Sequence, residues 1–140
     1  MPGTAPIVVI EDDIDDQHLL VEIFERLGFK NKVFYFADGH AALAFLRVGE
    51  IKPLLILADI NMPKLNGFEV REQILAEEQI RNKHIPFIFF TTASDERSIA
   101  NAHATSVQGY FIKPTKMDDF EKLIRKIVEY WKESLPSKPF

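Results

Sequence analysis

Five short apolar runs recur along the chain, and segments with helical periodicity lie between them. The runs occupy residues 7–10, 33–36, 54–58, 86–90 and 109–112. Four or five consecutive apolar residues are typical of strands that are covered on both faces of a sheet. Between the runs, apolar residues return every three or four positions, which predicts amphipathic helices. We place these helices at 15–27, after Asp38 and Gly39, at about 67–79, at about 96–105 and at about 117–134.

The alternation of five strands with five helices predicts one α/β domain, built as a doubly wound parallel sheet with right-handed crossovers. We assign residues 7–134 to this domain, residues 1–6 to a flexible lead and residues 135–140 to a tail. In a parallel sheet the carboxyl ends of the strands meet at one edge, where α/β folds place their chemistry. Residues that directly follow the strands are therefore the first candidates for a functional site.

Polar side chains follow four of the five predicted strands. Glu11 and Asp12 follow the first strand, Asp59 the third, Thr92 the fourth and Lys113 the fifth. Because these strand ends share one edge, we expect the five side chains to converge despite their separation along the chain.

The three acids of this set predict a site for a divalent cation, because carboxylates that share a pocket repel one another. Magnesium is commonly held by one or two carboxylates, carbonyl oxygens and retained waters. We expect Asp12 and Asp59 to bind Mg2+ directly, with the backbone carbonyl of Asn61 as a further ligand. Glu11 would orient a water of the coordination shell, and Mn2+ or another divalent cation would be able to replace Mg2+.

Asp59 also has the chemistry of a nucleophile, since a carboxylate in this setting can attack phosphorus and form an aspartyl phosphate. The protein must then neutralise charge on the transferred group. The Lys113 ammonium suits one phosphoryl oxygen, and the Thr92 hydroxyl with the Ala93 amide suits another. An isolated aspartate after a strand more often initiates a helix, so this interpretation depends on Asp12 and Lys113.

The overall charge and composition narrow the possible partners. The net charge is −4 and the basic residues are scattered, so nucleic acid is not an expected partner. The absence of cysteine is consistent with a reducing cytoplasm. No apolar run approaches the length of a membrane span, and the first residues lack the apolar core of a signal peptide. We therefore expect a cytoplasmic protein that does not bind membranes.

Four motifs of the chain resemble, in their order and spacing, the receiver domain of response regulators in two-component signalling. They are Ile10-Glu11-Asp12-Asp13, Asp59-Ile60-Asn61-Met62-Pro63 with Gly67, Thr92-Ala93, and Gly109-Tyr110-Phe111-Ile112-Lys113-Pro114. The resemblance extends from residue 7 to about residue 131 and implies the flavodoxin-like five-stranded fold with strand order 2-1-3-4-5. Finer features, such as Asp38-Gly39 and Tyr130-Trp131, are similar to stand-alone receivers that partner phytochrome-type histidine kinases.

The resemblance also implies roles for the residues at the strand ends. Asp59 is implied as the phosphoacceptor, which takes the group from the phosphohistidine of a sensor histidine kinase or a histidine phosphotransfer protein. Glu11 and Asp12 are implied in the magnesium site, and Lys113 as a ligand of the phosphoryl group. The peptide bond between Lys113 and Pro114 is expected to be cis.

A switch is implied in the same way by Thr92 and Tyr110. Phosphorylation would draw Thr92 towards the phosphoryl group, and Tyr110 would turn inward. The face formed by the fourth predicted helix, the fifth strand and the fifth predicted helix would then bind a partner or a second copy of the chain. The resemblance also implies that Asn61 and Ser94 are positions that tune hydrolysis of the phosphate. Such a protein modifies itself and does not turn over external substrates.

Three other functions stay open from the residues alone. An aspartate-based phosphohydrolase commonly carries a second aspartate two residues after the nucleophile, where this chain has Asn61. A flavin carrier would use the same edge, although its acidic residues do not suit a phosphate-bearing cofactor. The third alternative is a receiver-like scaffold that is never phosphorylated.

Simpler structural roles explain several other polar residues. Asp13, Asp15 and Asp16 are best explained as a solvated acidic turn before a helix. The four histidines show no ligand spacing and are assigned to the surface or to packing. Without the resemblance, Tyr110 would be a half-buried strand aromatic.

Overall fold

The computed structural model describes residues 4–92 and 95–134, which form five strands and six helices. The strands are β1 (Ile7–Ile10), β2 (Val33–Phe36), β3 (Leu55–Ala58), β4 (Phe87–Thr91) and β5 (Gly109–Ile112). The helices are α1 (Ile14–Leu27), α2 (Gly39–Leu46), α3 (Gly67–Ala76), α4 (Glu78–Arg81), α5 (Glu96–Ala104) and α6 (Met117–Glu133). None of these helices combines the length and apolarity needed to cross a membrane.

The five strands form one parallel sheet of order β2-β1-β3-β4-β5, which confirms the expected doubly wound topology. The three central strands are buried along their whole length, and β2 and β5 form the half-buried edges. Ile10 pairs with Ala58, so Glu11 and Asp59 leave the sheet side by side. The register between β1 and β3 therefore already places two candidate residues next to each other.

Two apolar layers cover the two faces of the sheet, because alternate strand residues point to opposite sides. On one side, Val8 and Ile10 belong to the cluster that α2, α3, α4 and α5 cover. On the other side, Ile7 and Val9 belong to the cluster that α1 and α6 cover. Each helix buries one face, as the periodicity of its sequence predicts.

The segment predicted as one helix over about 67–79 is divided by an extended residue, Glu77. Its backbone has φ −99° and ψ 107°, which ends α3 and precedes the single turn of α4. Arg47 donates two hydrogen bonds to the Glu77 carboxylate, at 2.7 and 2.8 Å, and Gln73 donates a third at 2.9 Å. Residues 77–79 are Glu-Glu-Gln, which are good helix formers, and no glycine or proline is present there, so the sequence carries no signal of the interruption.

Gly67 brings the start of α3 against the backbone that carries Asp59. A Cβ atom at this position would collide with the carbonyl oxygen of Asp59 and with the ring of Phe89. The Gly67 amide donates to the carbonyl oxygen of Ile60 at 2.9 Å. Asn66 caps α3 in a capping box with Glu69, which fixes where the helix begins. The loop after β3 is thus held in place on both sides.

Candidate functional site

The carboxyl edge of the sheet brings together Lys113 and three acidic side chains. The Nζ atom of Lys113 lies 2.5 Å from Glu11 Oε1, 2.8 Å from Asp16 Oδ2 and 3.1 Å from Asp59 Oδ2. Lys113, Glu11 and Asp59 are buried, whereas a third of the Asp16 side chain is exposed. Glu11 and Lys113 are 102 residues apart in the sequence, and the shared edge of β1 and β5 accounts for their contact.

The acids around Lys113 keep its side chain charged. Burial by itself would lower the pKa of Lys113, but hydrogen bonds to Asp16 and Glu11 and the charge of Asp59 raise it above its ordinary value. The ammonium also lies 5.1 Å from the ring centroid of Phe90, so an aromatic face covers the apolar side of the pocket. Lys113 is therefore a fixed positive charge beside Asp59.

Asp59 is held at both carboxylate oxygens. Oδ1 accepts a hydrogen bond from the Ile60 amide at 2.7 Å, and Oδ2 accepts the bond from Lys113. The Asp59 amide donates to the carbonyl oxygen of Ile10 at 3.0 Å, which continues the pairing of β3 with β1. These contacts fix the orientation of the carboxylate at the rim of the sheet.

The carboxylates of Glu11, Asp12 and Asp59 form a cluster that fits a hard divalent cation. One oxygen of each lies within 4.8 Å of the others, and Asp12 is half-buried. Burial and the charge of Asp59 raise the pKa of Glu11 to about 7, although the hydrogen bond from Lys113 opposes this shift. One ammonium does not balance the carboxylates around it, and an all-oxygen donor set is the kind that Mg2+ and Mn2+ bind. Asn61, the other expected contributor, lies two residues beyond Asp59 with its side chain exposed.

Thr92 directly follows β4, and Tyr110 lies within the neighbouring strand β5. Thr92 is exposed directly after β4. Tyr110 is half-buried on β5, where it pairs in register with Phe89, and the two ring centroids are 6.1 Å apart. Burial raises the pKa of the Tyr110 hydroxyl. Ala93 and Ser94, the other two predicted residues of this loop, lie outside the described residues.

The bond between Lys113 and Pro114 differs from its expected form. None of the described peptide bonds is cis, so this bond is trans and the expectation of a cis bond is wrong for this structure. The trans form is intrinsically favoured before proline by about 0.5–1 kcal/mol. The Lys113 amide still donates to the carbonyl oxygen of Thr91 at 2.8 Å. With this peptide bond trans, the Lys113 side chain still donates a hydrogen bond to Asp59.

Asp16 is the site residue that the sequence interpretation missed. Asp13 is exposed directly before α1, as expected, and its side chain also caps the helix by accepting from the Asp16 amide at 3.0 Å. Asp16 itself turns inward to Lys113, so it is not only part of a solvated acidic turn. One sequence signal was available. Asp16 lies in the first turn of a helix that begins at the edge where Glu11 and Asp12 leave β1.

The amino-acid sequence matches the family model of the response regulator receiver domain over residues 7–125. It is 35% identical over 129 residues to the probable methanogenesis regulatory protein FilR2 of Methanothrix harundinacea, which covers 89% of this chain and 82% of that protein. It is 31% identical over 134 residues to response regulator Rcp1 of Synechocystis sp., which covers 92% of this chain and 90% of Rcp1.

Solved structures of similar proteins have the same fold. The phosphorylated cyanobacterial phytochrome response regulator RcpA superposes with a TM-score of 0.85 at 26% identity, over 96% of this chain and 99% of RcpA. The Mn2+-bound form of Rcp1 gives a TM-score of 0.80 at 28% identity, over 96% of this chain and 99% of Rcp1. The similarity therefore includes one relative that is phosphorylated and one that binds a divalent cation.

Proposed function

The chain belongs to the response regulator receiver domain family, and from this membership we propose that Asp59 accepts a phosphoryl group from a sensor histidine kinase or a histidine phosphotransfer protein. The observation that carries the proposal is the contact of the Asp59 carboxylate with Lys113 beside a cluster of acids at the carboxyl edge. Phosphoryl transfer to a carboxylate needs a held nucleophile, a cation for the transferred group and oxygen ligands for a metal ion.

In the proposed transfer, one Asp59 carboxylate oxygen forms a bond to phosphorus while the bond from phosphorus to the donor histidine nitrogen breaks. The electron pair of the broken bond stays on the imidazole, which takes up a proton. The hydrogen bond from the Ile60 amide orients the carboxylate before the donor arrives. Lys113, whose Nζ is 3.1 Å from Asp59 Oδ2, is close enough to donate to a phosphoryl oxygen bound there.

We propose Asp12 and Asp59 as direct ligands of Mg2+, with the backbone carbonyl of Asn61 as a further ligand and Glu11 orienting a coordinated water. When bound, the cation supplies positive charge to oxygens of the transferred group. Support comes from the proximity of the three carboxylates and from the Mn2+-bound form of the similar protein Rcp1. Because Glu11 also accepts a hydrogen bond from Lys113, it connects the proposed metal site to the proposed phosphoryl site.

The output of the proposed reaction is a change in the face formed by α5, β5 and α6. The Thr92 hydroxyl and the Ala93 amide would bind a phosphoryl oxygen, and Tyr110 would turn into the space that Thr92 leaves. The pairing of Tyr110 with Phe89 on β4 supports this step, because it places the tyrosine one strand away from the loop of Thr92. Ile112 on β5 and Tyr130 on α6 are exposed apolar residues that would be available to a partner or to a second copy of the chain.

The similarity to one solved structure and the identity of residue 61 extend the proposal to the phosphodonor and to hydrolysis. The similarity to RcpA supports a phytochrome-type histidine kinase as the donor. Asn61 stands two residues after Asp59 and cannot transfer a proton, so we do not expect hydrolysis of external phosphate esters. We propose that the chain hydrolyses its own aspartyl phosphate and that Asn61 and Ser94 tune the rate of this hydrolysis.

Labelling of the full chain with a radioactive small phosphodonor, such as acetyl phosphate, tests this function. With Mg2+ present, the unaltered chain is expected to acquire a label that hydroxylamine releases, as an acyl phosphate requires. Asp59→Asn keeps the size of the side chain and removes the nucleophile, so it is expected to acquire none. Equal labelling of the Asp59→Asn variant would mean that another residue is the acceptor.

A further inference from the structure

Lys113 makes one of its shorter contacts with an acid that lies outside the receiver motifs. Its Nζ atom is 2.8 Å from Asp16 Oδ2 and 3.1 Å from Asp59 Oδ2. A lysine ammonium has three N–H groups, and the carboxylates of Glu11, Asp16 and Asp59 accept all three. We propose that Asp16 is a positioning residue that, together with Glu11, holds Lys113 so that its remaining N–H group faces the phosphoryl group on Asp59.

The side chain of lysine needs such support, because it is a flexible four-carbon stem that carries a point charge. Two carboxylates fix the ammonium from two directions, and its third N–H group then points to Asp59. When an oxygen of Asp59 becomes part of an acyl phosphate, that oxygen loses charge and the phosphoryl oxygens beside it carry charge instead. The third N–H group moves to one of those oxygens, while Glu11 and Asp16 keep their hydrogen bonds. This step rests on the proposed phosphorylation of Asp59.

Asp16 is itself held on a rigid element, as a positioning residue must be. Its amide donates to the side chain of Asp13, which caps the first turn of α1. The next residue, Gln17, donates from its side chain to the carbonyl oxygen of Glu11 and ties this turn to the end of β1. The carboxylate of Asp16 therefore approaches Lys113 from a fixed helix start that is anchored beside Glu11.

A general effect of charge predicts the opposite result, which makes the inference testable. A negative charge near an anion site weakens binding of the anion, so its removal by itself would strengthen that binding. Loss of a residue that positions Lys113 is instead expected to weaken binding of the anion. Asp15 provides the matched control, because it is the preceding residue, exposed in the same helical turn, and its change to asparagine removes the same charge.

The experiment measures binding of beryllofluoride, a phosphoryl mimic, to the full chain at saturating Mg2+ by calorimetry. Asp16→Asn is expected to bind beryllofluoride about three- to tenfold more weakly than Asp15→Asn, in the range of couplings between residues in contact. The affinity of the two variants for Mg2+ alone, measured separately, is expected to agree within about twofold. In a Lys113→Met background, Asp16→Asn is expected to weaken beryllofluoride binding no more than Asp15→Asn does.

Three results would overturn the role of Asp16. The first is that Asp16→Asn binds beryllofluoride as tightly as Asp15→Asn does. The second is that Asp16→Asn weakens beryllofluoride binding by the same factor in the Lys113→Met background as in the presence of Lys113. The third is that Asp16→Asn weakens binding of Mg2+ alone in parallel with binding of beryllofluoride. In each of them the unaltered chain still binds the mimic, so the proposed function stands. Failure of the unaltered chain to bind beryllofluoride with Mg2+ would instead remove the proposed function, and the role of Asp16 with it.

Discussion

Two buried cations of this protein, Lys113 and Arg71, are stabilised by different kinds of partner. Lys113 lies among carboxylates at the carboxyl edge of the sheet. Arg71, on α3, donates to the backbone carbonyl oxygens of Thr105 at 3.0 Å and Ser106 at 2.7 Å, directly after α5. Its guanidinium also lies 5.5 Å from the ring centroid of Phe87.

The difference shows what each cation can do. Carbonyl groups at the end of a helix are obligatory acceptors, so Arg71 acts as a fixed connection between α3 and the end of α5. Burial lowers the pKa of Arg71. Around Lys113 the acids are in excess of the cation, which suits binding of a divalent metal ion beside the lysine. The excess negative charge around Lys113 fits a role in chemistry, whereas the neutral carbonyl partners of Arg71 fit a structural role.

The largest expected effect is a difference between the two cations in how their substitution changes the rate of Asp59 labelling. Lys113→Met removes the charge that faces the transferred group and is expected to slow labelling of Asp59 by about 100-fold, the scale of losing one oxyanion donor. Arg71→Met removes a cation of similar burial away from the carboxyl edge, so labelling is expected to stay within about threefold of the unaltered rate. Initial rates with acetyl phosphate and Mg2+ measure both. Equal slowing by the two substitutions would contradict the distinction.

The next effect concerns stability. Arg71→Met is expected to lower the free energy of unfolding by about 2–3 kcal/mol, because the carbonyl groups of Thr105 and Ser106 lose their charged donor. Urea unfolding measures this change, and Arg125→Met, on the exposed side of α6, is the control for loss of an arginine. A loss no greater than that of the control would mean that Arg71 does not anchor α5.

A third effect is a dependence of stability on pH at the Lys113 site. The pKa of Glu11 is raised from 4.5 to about 7 by burial and by the charge of Asp59, so the folded chain binds a proton there that the unfolded chain has lost. The contribution of Glu11 to stability is therefore present below pH 4.5 and decreases as the pH rises to about 7. Without metal, Glu11→Gln is expected to flatten the fall in unfolding free energy across this window, as measured by urea titrations. An unchanged slope in the variant would contradict the buried position of Glu11.

The sequence was sufficient for the features that strand ends determine. Apolar runs and their crossovers predicted the parallel sheet, and the register of β1 with β3 then places Glu11 beside Asp59. Lys113 follows from the same rule, because β5 ends at the same edge. Each of these positions depends on backbone topology, to which the apolar pattern responds directly.

The features that escaped prediction depend on side chains that reach across elements. Asp16 has the same local surroundings in sequence as Asp15, and only the path of Lys113, 97 residues later, distinguishes them. Arg71 occupies an amphipathic helix with other polar residues, and its burial depends on where α5 ends. Glu77, at the break between α3 and α4, accepts hydrogen bonds from Arg47, 30 residues earlier. The roles of Ala93 and Ser94 stay predictions, since both lie outside the described residues.

A crystal structure of the full chain with Mg2+ and beryllofluoride would test the exchange of partners at Lys113 most directly. We predict an adduct on Asp59 with Lys113 Nζ within hydrogen-bond distance of a fluorine atom, and Arg71 still on the carbonyl groups of Thr105 and Ser106. A structure with no adduct on Asp59, or with Lys113 still bonded to the three carboxylates and turned away from the mimic, would contradict the account.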